Sequence, residues 1–194
     1  MALDMQSDHS DEELLTAFAA GDRMAGRVLV ARLGPIVYRH ALRLLGNTGD
    51  AEDVSQEAMI KLWKIAPEWQ TGKARVSTWL YRVTANLAID KIRARKDNDA
   101  DAVAELVDDA VSVEEKMTQS HRADVLKNAL MELPERQRQA VTLRMIDGLS
   151  NPEIADIIGV SVEAVESLTA RAKRALKQIL TPKLPELGGL YGTD

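Results

Sequence analysis

The feature that most restricts the fold of this chain is the spacing of small, apolar and capping residues between Ser150 and Leu168. Ser150-Asn-Pro-Glu153 is a capping box, with a serine and a glutamate three residues apart and a proline near the first helical position. The helix it opens carries Ile154, Ala155, Ile157 and Ile158. Gly159 follows where the chain needs a left-handed turn residue, and Ser161 can cap a second helix that carries Val165, Leu168 and Leu176 inward. A small residue at 155 lets the two helices approach, while Val165 and Leu168 anchor the second on the first. This is the pattern of a helix-turn-helix from about Asn151 to Ala170. Its second helix turns outward Ser161, Glu163, Glu166, Ser167, Arg171 and Arg174, with Thr169 at the flank. Such a face fits a DNA major groove, because guanidinium groups fork to guanine or phosphate and short hydroxyls reach base edges. Glu163 and Glu166 are the exceptions on that face. They repel phosphate unless they accept from cytosine amino groups or orient Arg171 and Arg174.

The rest of the chain reads as helices too. Aromatic residues are only 4% of the 194, so a core must be built from Leu, Val, Ile, Ala and Met, a mixture that favours helices over sheets. Ser10-Asp-Glu-Glu13 is another capping box, followed by Leu14, Leu15 and Phe18 on one face. Asp22 caps a second helix bearing Val28, Leu29, Leu33, Val37, Leu44 and Leu45, with a bend expected at Gly34-Pro35 and a stop at Gly46-Asn47. Asp50 starts a third helix that Pro67 ends, and Ser77 caps a fourth bearing Trp79, Leu80, Val83, Leu87 and Ile92. Val125, Leu126, Leu130 and Leu133 define a helix of a second unit, and Pro134 opens another at its first helical position, running to Asp147 with Gly148 as its stop. No segment alternates like a strand.

Charge divides the chain in the same places. The net charge is −5, which argues against a free-standing DNA binder. Yet 71–96 holds seven bases (Lys73, Arg75, Arg82, Lys91, Arg93, Arg95, Lys96) against Asp90, and 162–183 holds five bases against Glu163 and Glu166. Between them, 97–116 holds eight acids against Lys116. Two basic blocks around an acidic one imply two binding surfaces and a linker. The fold expected is therefore all-α: two small helical domains joined by a flexible acidic linker, the second containing the helix-turn-helix. The boundaries are 1–96, a linker over 97–118 with a transient helix near Val111 to Met117, 119–183, and a flexible tail over 184–194.

Several function classes are excluded. With no cysteine there is no disulfide framework, thiolate metal site or cysteine nucleophile. The acidic start is not a signal peptide, and runs such as Val28-Leu29-Val30-Ala31 are far too short to span a membrane. His9, His40 and His121 are scattered, so the Asp50–Glu57 carboxylates lack an imidazole to complete a metal site. Neither a metal nor a cofactor is called for, nor an enzyme.

Four blocks resemble one family. Asp50-Ala-Glu-Asp-Val-Ser-Gln-Glu-Ala-Met-Ile-Lys-Leu-Trp63 and Ser77-Thr-Trp-Leu-Tyr-Arg-Val-Thr-Ala-Asn-Leu-Ala-Ile-Asp-Lys-Ile-Arg-Ala-Arg95 resemble the second conserved region of bacterial sigma factors of the extracytoplasmic-function type. Leu133-Pro-Glu-Arg-Gln-Arg-Gln-Ala-Val141 and Gly148-Leu-Ser-Asn-Pro-Glu-Ile-Ala155 resemble their fourth. The likeness covers about residues 11–180.

The resemblance implies a subunit that binds core RNA polymerase and directs promoter-specific initiation, an alternative sigma factor answering a stress or signal in the cytoplasm. The competing reading is a stand-alone helix-turn-helix regulator, whose N-terminal half should then be a receiver or ligand domain, usually with strands. By resemblance, Asp50, Glu52, Asp53, Gln56 and Glu57 dock the polymerase. Asp53, Gln56 and Glu57 do fall on one helical face; Asp50 and Glu52 serve either the docking or the helix N-terminus. The helix from Ser77 to Lys96 then reads and opens the downstream promoter element. Asn86, Asp90 and Arg93 lie on one face, Lys73 and Arg75 lie in the loop before it, and Lys91, Arg95 and Lys96 hold phosphates. Trp79 and Tyr81 can stack on an unpaired base, although Trp79 is equally a core residue. The loop Trp69 to Val76 holds an extruded base in the family, and Val76 stands where many members carry an aromatic residue. Glu166 likewise stands where many carry lysine. The acidic linker either mimics phosphates inside polymerase channels or is a solvated tether. Such proteins are commonly held inactive by an anti-sigma protein wedged between the two domains.

Overall fold

The computed structural model describes residues 9–98 and 114–183. Its described elements are helical: α1 (Asp11–Ala19), α2 (Arg23–Leu45), α3 (Thr48–Ile65), α4 (Val76–Asn98), α5 (Glu114–Met131), α6 (Glu135–Met145), α7 (Asn151–Ile158) and α8 (Val162–Leu180), with short 3-10 turns at Ala66–Glu68 and Thr181–Lys183. The acidic stretch 99–113, the first eight residues and the expected tail lie outside the described residues.

Most boundaries are set by the caps read from the sequence. Ser10 and Glu13 form a reciprocal capping box, as do Ser150 and Glu153. Asp22 accepts from the backbone of Met24 and Ala25 to start α2. Four starts fall elsewhere than expected. Asn47, rather than Asp50, caps α3, its side chain accepting from Asp50 N, so the helix begins two residues early at Thr48. α4 begins at Val76, one residue before Ser77. Pro134 stands at the N-cap of α6 and not inside it. α2 continues through Gly34 and Pro35 as one helix. α5 starts at Glu114, inside the stretch read as linker.

Helices α1–α4 form one unit. Leu14, Leu15, Leu29, Leu33, Leu62, Val76 and Leu80 fill one part of its core, with Phe18, Trp63, Trp69 and Trp79 packed around it. Ala41, Leu44, Leu45, Ala51, Val54, Ala85 and Ala88 fill the other, where the small side chains let α2, α3 and α4 approach closely. Each fully buried leucine contributes about 2 kcal/mol through the apolar area it removes from water. Helices α5–α8 form the second unit. Leu130, Leu133, Val141 and Ala172 make one cluster. Leu143, Ile154, Ala155, Ile157 and Val165 make the other, and that cluster also takes in Tyr81 from α4. The two units therefore share apolar packing.

Candidate nucleic-acid and protein interfaces

The turn between α7 and α8 is built as the sequence requires. Gly159 has φ 67° and ψ 47°, and Ser161 accepts from Ala164 N at 3.2 Å to start α8. Val165 is fully buried beneath α7, and Leu168 is half-buried. Ser161, Glu163, Glu166, Ser167, Arg171 and Arg174 are exposed. Thr169 departs from expectation: it is 8% exposed, on the inner side of α8, and its hydroxyl is not open to a groove. The two carboxylates find local work. A bond from its own backbone N–H, then one from Ser161, holds Glu163 below the usual carboxylate range, as suits the first turn of a helix. Glu166 accepts from Asn151 Nδ2 at 3.4 Å.

On α3, Glu52, Asp53, Gln56 and Glu57 are exposed, and Glu57 pairs with Lys61 at 3.3 Å. Asp50 is different. Its side chain is only 14% exposed, and it bonds Asn47, Lys91 at 3.0 Å, and Arg95. Burial alone would raise the Asp50 carboxyl, but the bonds from Lys91 and Asn47 and the charge of Arg95 outweigh it and hold the group below its ordinary value. Lys91 also donates to Asp53 at 2.7 Å. Two cations expected to hold phosphates are thus paired with two acids expected to dock a protein.

On α4, Asn86, Asp90 and Arg93 are exposed along one stripe. They form one wall of a cavity of about 370 Å³, whose other wall is Glu135, Arg136 and Gln139 of α6 with Ile157 and Ile158 of α7. Lys73 and Arg75 are exposed in the preceding loop, and Arg75 approaches Glu153 of α7 to 3.6 Å. Lys96 falls in the last turns of α4. Val76 is buried in the core and does not line a loop pocket. Trp79 is half-buried and meets Trp69 edge to face, with centroids 6.0 Å apart. Tyr81 is 8% exposed inside the shared cluster, which removes it as a stacking surface in this arrangement.

The sequence reading missed a polar cluster at the seam between the units. Asp147, in the turn after α6, accepts from Arg43 and lies 3.1 Å from Nδ1 of His40, both on α2. His40 is fully buried and its ring meets Tyr81 edge-on at 4.9 Å. Burial pushes His40 below the usual histidine value, with Asp147 opposing. Burial and the Asp147 charge push the Tyr81 hydroxyl up to about 12. The one available signal was a histidine at a core position of α2, between Val37 and Leu44.

Known proteins match the same two units. The Sigma-70 region 2 family matches residues 29–97, and the Sigma-70, region 4 family matches residues 123–176. The chain is 30% identical over 171 residues to the ECF RNA polymerase sigma factor SigW of Bacillus subtilis, covering 82% of this chain and 91% of that one. It is 35% identical over 173 residues to the ECF RNA polymerase sigma factor SigM of Mycobacterium tuberculosis, covering 89% and 86%. The solved structure of CnrH in complex with the cytosolic domain of CnrY superposes with a TM-score of 0.68 at 25% identity, covering 90% of this chain and 99% of that one. An all-helical pair of region 2 and region 4 units defines a sigma factor, and the chain belongs to the ECF RNA polymerase sigma factors.

Among the described residues, no helix is long and apolar enough to cross a membrane.

Proposed function

We propose that this chain binds core RNA polymerase and directs it to specific promoters, as an alternative sigma factor answering a stress or signal. The observation that carries this reading is the presence, on separate helical units of one chain, of an exposed helix-turn-helix face and an exposed row of Glu52, Asp53, Gln56 and Glu57. The row is the polymerase-docking surface, extended by Asp50. Asn86, Asp90, Arg93 and the cations Lys73, Arg75, Lys91, Arg95 and Lys96 serve the downstream element, with Trp79 beside them. Ser161, Glu163, Glu166, Ser167, Arg171 and Arg174 serve the upstream element. The two working domains are the units α1–α4 and α5–α8, and the acidic stretch between Asn98 and Glu114 connects them.

The protein works in the cytoplasm as a binding subunit and not as a catalyst. Binding core holds both readers over one promoter, so two weak contacts combine through a high effective concentration. A net charge of −5 suits a DNA reader that borrows its affinity from polymerase. An anti-sigma protein is the expected regulator, as the likeness to the extracytoplasmic-function family implies.

Size-exclusion chromatography of the chain with core polymerase, followed by promoter footprinting, tests this. Co-elution and protection at two separated elements are expected. Protection of a palindromic site without core would show a stand-alone regulator instead.

A further inference from the structure

The cavity of about 370 Å³ beside α4 has an unusual lining. Arg93 and Arg136 line it, and so do Asp90 and Glu135, yet none of the four forms an ion pair among the described residues. Gln139 lines it from deeper in the protein. Its side chain belongs to a residue only 3% exposed, and it finds no hydrogen-bond partner in the protein among the described residues. A buried primary amide carries two donors and an acceptor, and leaving them unmet costs stability.

The start of α6 borders the same space. Ser10, Asp22, Asn47, Ser150 and Ser161 each cap a helix with a side chain, whereas Pro134 offers none to α6. Gln137 and Arg138 donate their backbone N–H groups to Pro134 O, at 2.9 and 3.0 Å. Those of Glu135 and Arg136 stay outside the helix's own bonding. A helix end of this kind attracts negative charge.

We propose that this cavity is a binding site for a small zwitterion of the amino-acid or dipeptide class. The volume lies in the range of small-ligand pockets. The two guanidinium groups and the uncapped start of α6 take the carboxylate. Asp90 and Glu135 take the ammonium group. Asn86 and Gln139 bond the remaining polar atoms, and Ile89, Ile157 and Ile158 receive an aliphatic side chain. A simple anion meets two carboxylates here, and a simple cation meets two arginines, so the balanced lining selects a molecule that carries both charges. Asn86, Asp90 and Arg93 are also assigned above to the downstream element. An occupied cavity therefore competes with promoter DNA, a consequence that rests on that assignment, whereas the binding itself does not.

Isothermal titration of the full chain with L-leucine and with the dipeptide alanyl-leucine tests the site, and the better of the two identifies the class. N-acetyl-leucine, which lacks the ammonium group, and leucinamide, which lacks the carboxylate, are the controls. At least one zwitterion is expected to bind, and both controls at least about tenfold more weakly. Arg136→Gln, at an exposed position, and Gln139→Leu are each expected to weaken the zwitterion by about tenfold. Lys173→Gln, exposed on α8, is expected to leave it unchanged. No binding by either zwitterion, equal binding by a control, or undiminished binding to folded Arg136→Gln and Gln139→Leu overturns the site. Binding that both variants lose, but that leaves promoter footprints with core polymerase unchanged at saturation, keeps the site and overturns the assignment of α4 to DNA.

Discussion

Nζ of Lys91 lies 2.7 Å from Oδ2 of Asp53, which joins the row assigned to polymerase to the row assigned to promoter phosphates. With Asp50 and Arg95 the pair forms a network between α3 and α4. The acids in this row are therefore not equivalent. Asp50 is structural as well as a candidate contact, whereas Gln56 and Glu57 face water.

Glu57→Lys should lower thermal stability only slightly, since its pair with Lys61 is exposed, and weaken association with core polymerase by tenfold or more, because the charge of the docking face is reversed. Asp50→Asn should instead cost about 1 kcal/mol of stability by loosening Lys91 and Arg95. Chemical denaturation beside a core-binding titration separates the two. The Asp50 carboxyl is held low in the folded chain, so its contribution is full above its ordinary value of about 3.9 and is lost as pH falls below that and through the lower folded value.

Protonation of His40 should have the opposite character to a salt bridge gained in acid. Its folded value lies below its unfolded one, so its neutral form is the stable one. Stability linked to it is full above about pH 6.5 and declines as pH falls below that. His40→Gln should flatten the change in unfolding midpoint between pH 7.5 and pH 5.5. An unchanged slope would show that His40 does not carry this pH dependence.

Gly159→Ala should destabilise the second unit by about 1 kcal/mol, although a Cβ there meets no atom within 4 Å. The cost is backbone strain at φ 67°. Gly159→Asn should cost less, since asparagine tolerates the left-handed region. Urea midpoints of the three proteins check this ordering.

Much of the architecture was legible because it is local. The capping boxes at Ser10 and Ser150, the turn at Gly159 and the stop at Gly46 each need only a few neighbouring residues, whereas α6 ends at Met145 with Ile146 as its cap, short of the stop expected at Gly148. The exposure of the candidate residues was legible where it follows helical phase, as at Gln56, Glu57 and Arg171. It was not legible where long-range packing decides. Thr169 looked like a flank residue and is buried, and Tyr81 looked like a stacking platform and is covered by α7. The Asp147 contact joins segments more than a hundred residues apart, and no period or spacing records that.

Arg171→Ala should weaken the upstream contact severalfold and leave core association intact, because Arg171 is exposed on α8 far in sequence from the α3 row. Footprinting with core present reads the first, and co-elution reads the second. Loss of core binding would mean that the domain roles are misassigned.

Run-off transcription from a promoter template, with core alone, the chain alone and both together, shows whether this chain directs core polymerase to a promoter. Specific transcripts are expected only when both are present. Tight, site-specific binding to a palindrome by the chain alone, with no transcript on adding core, would contradict it.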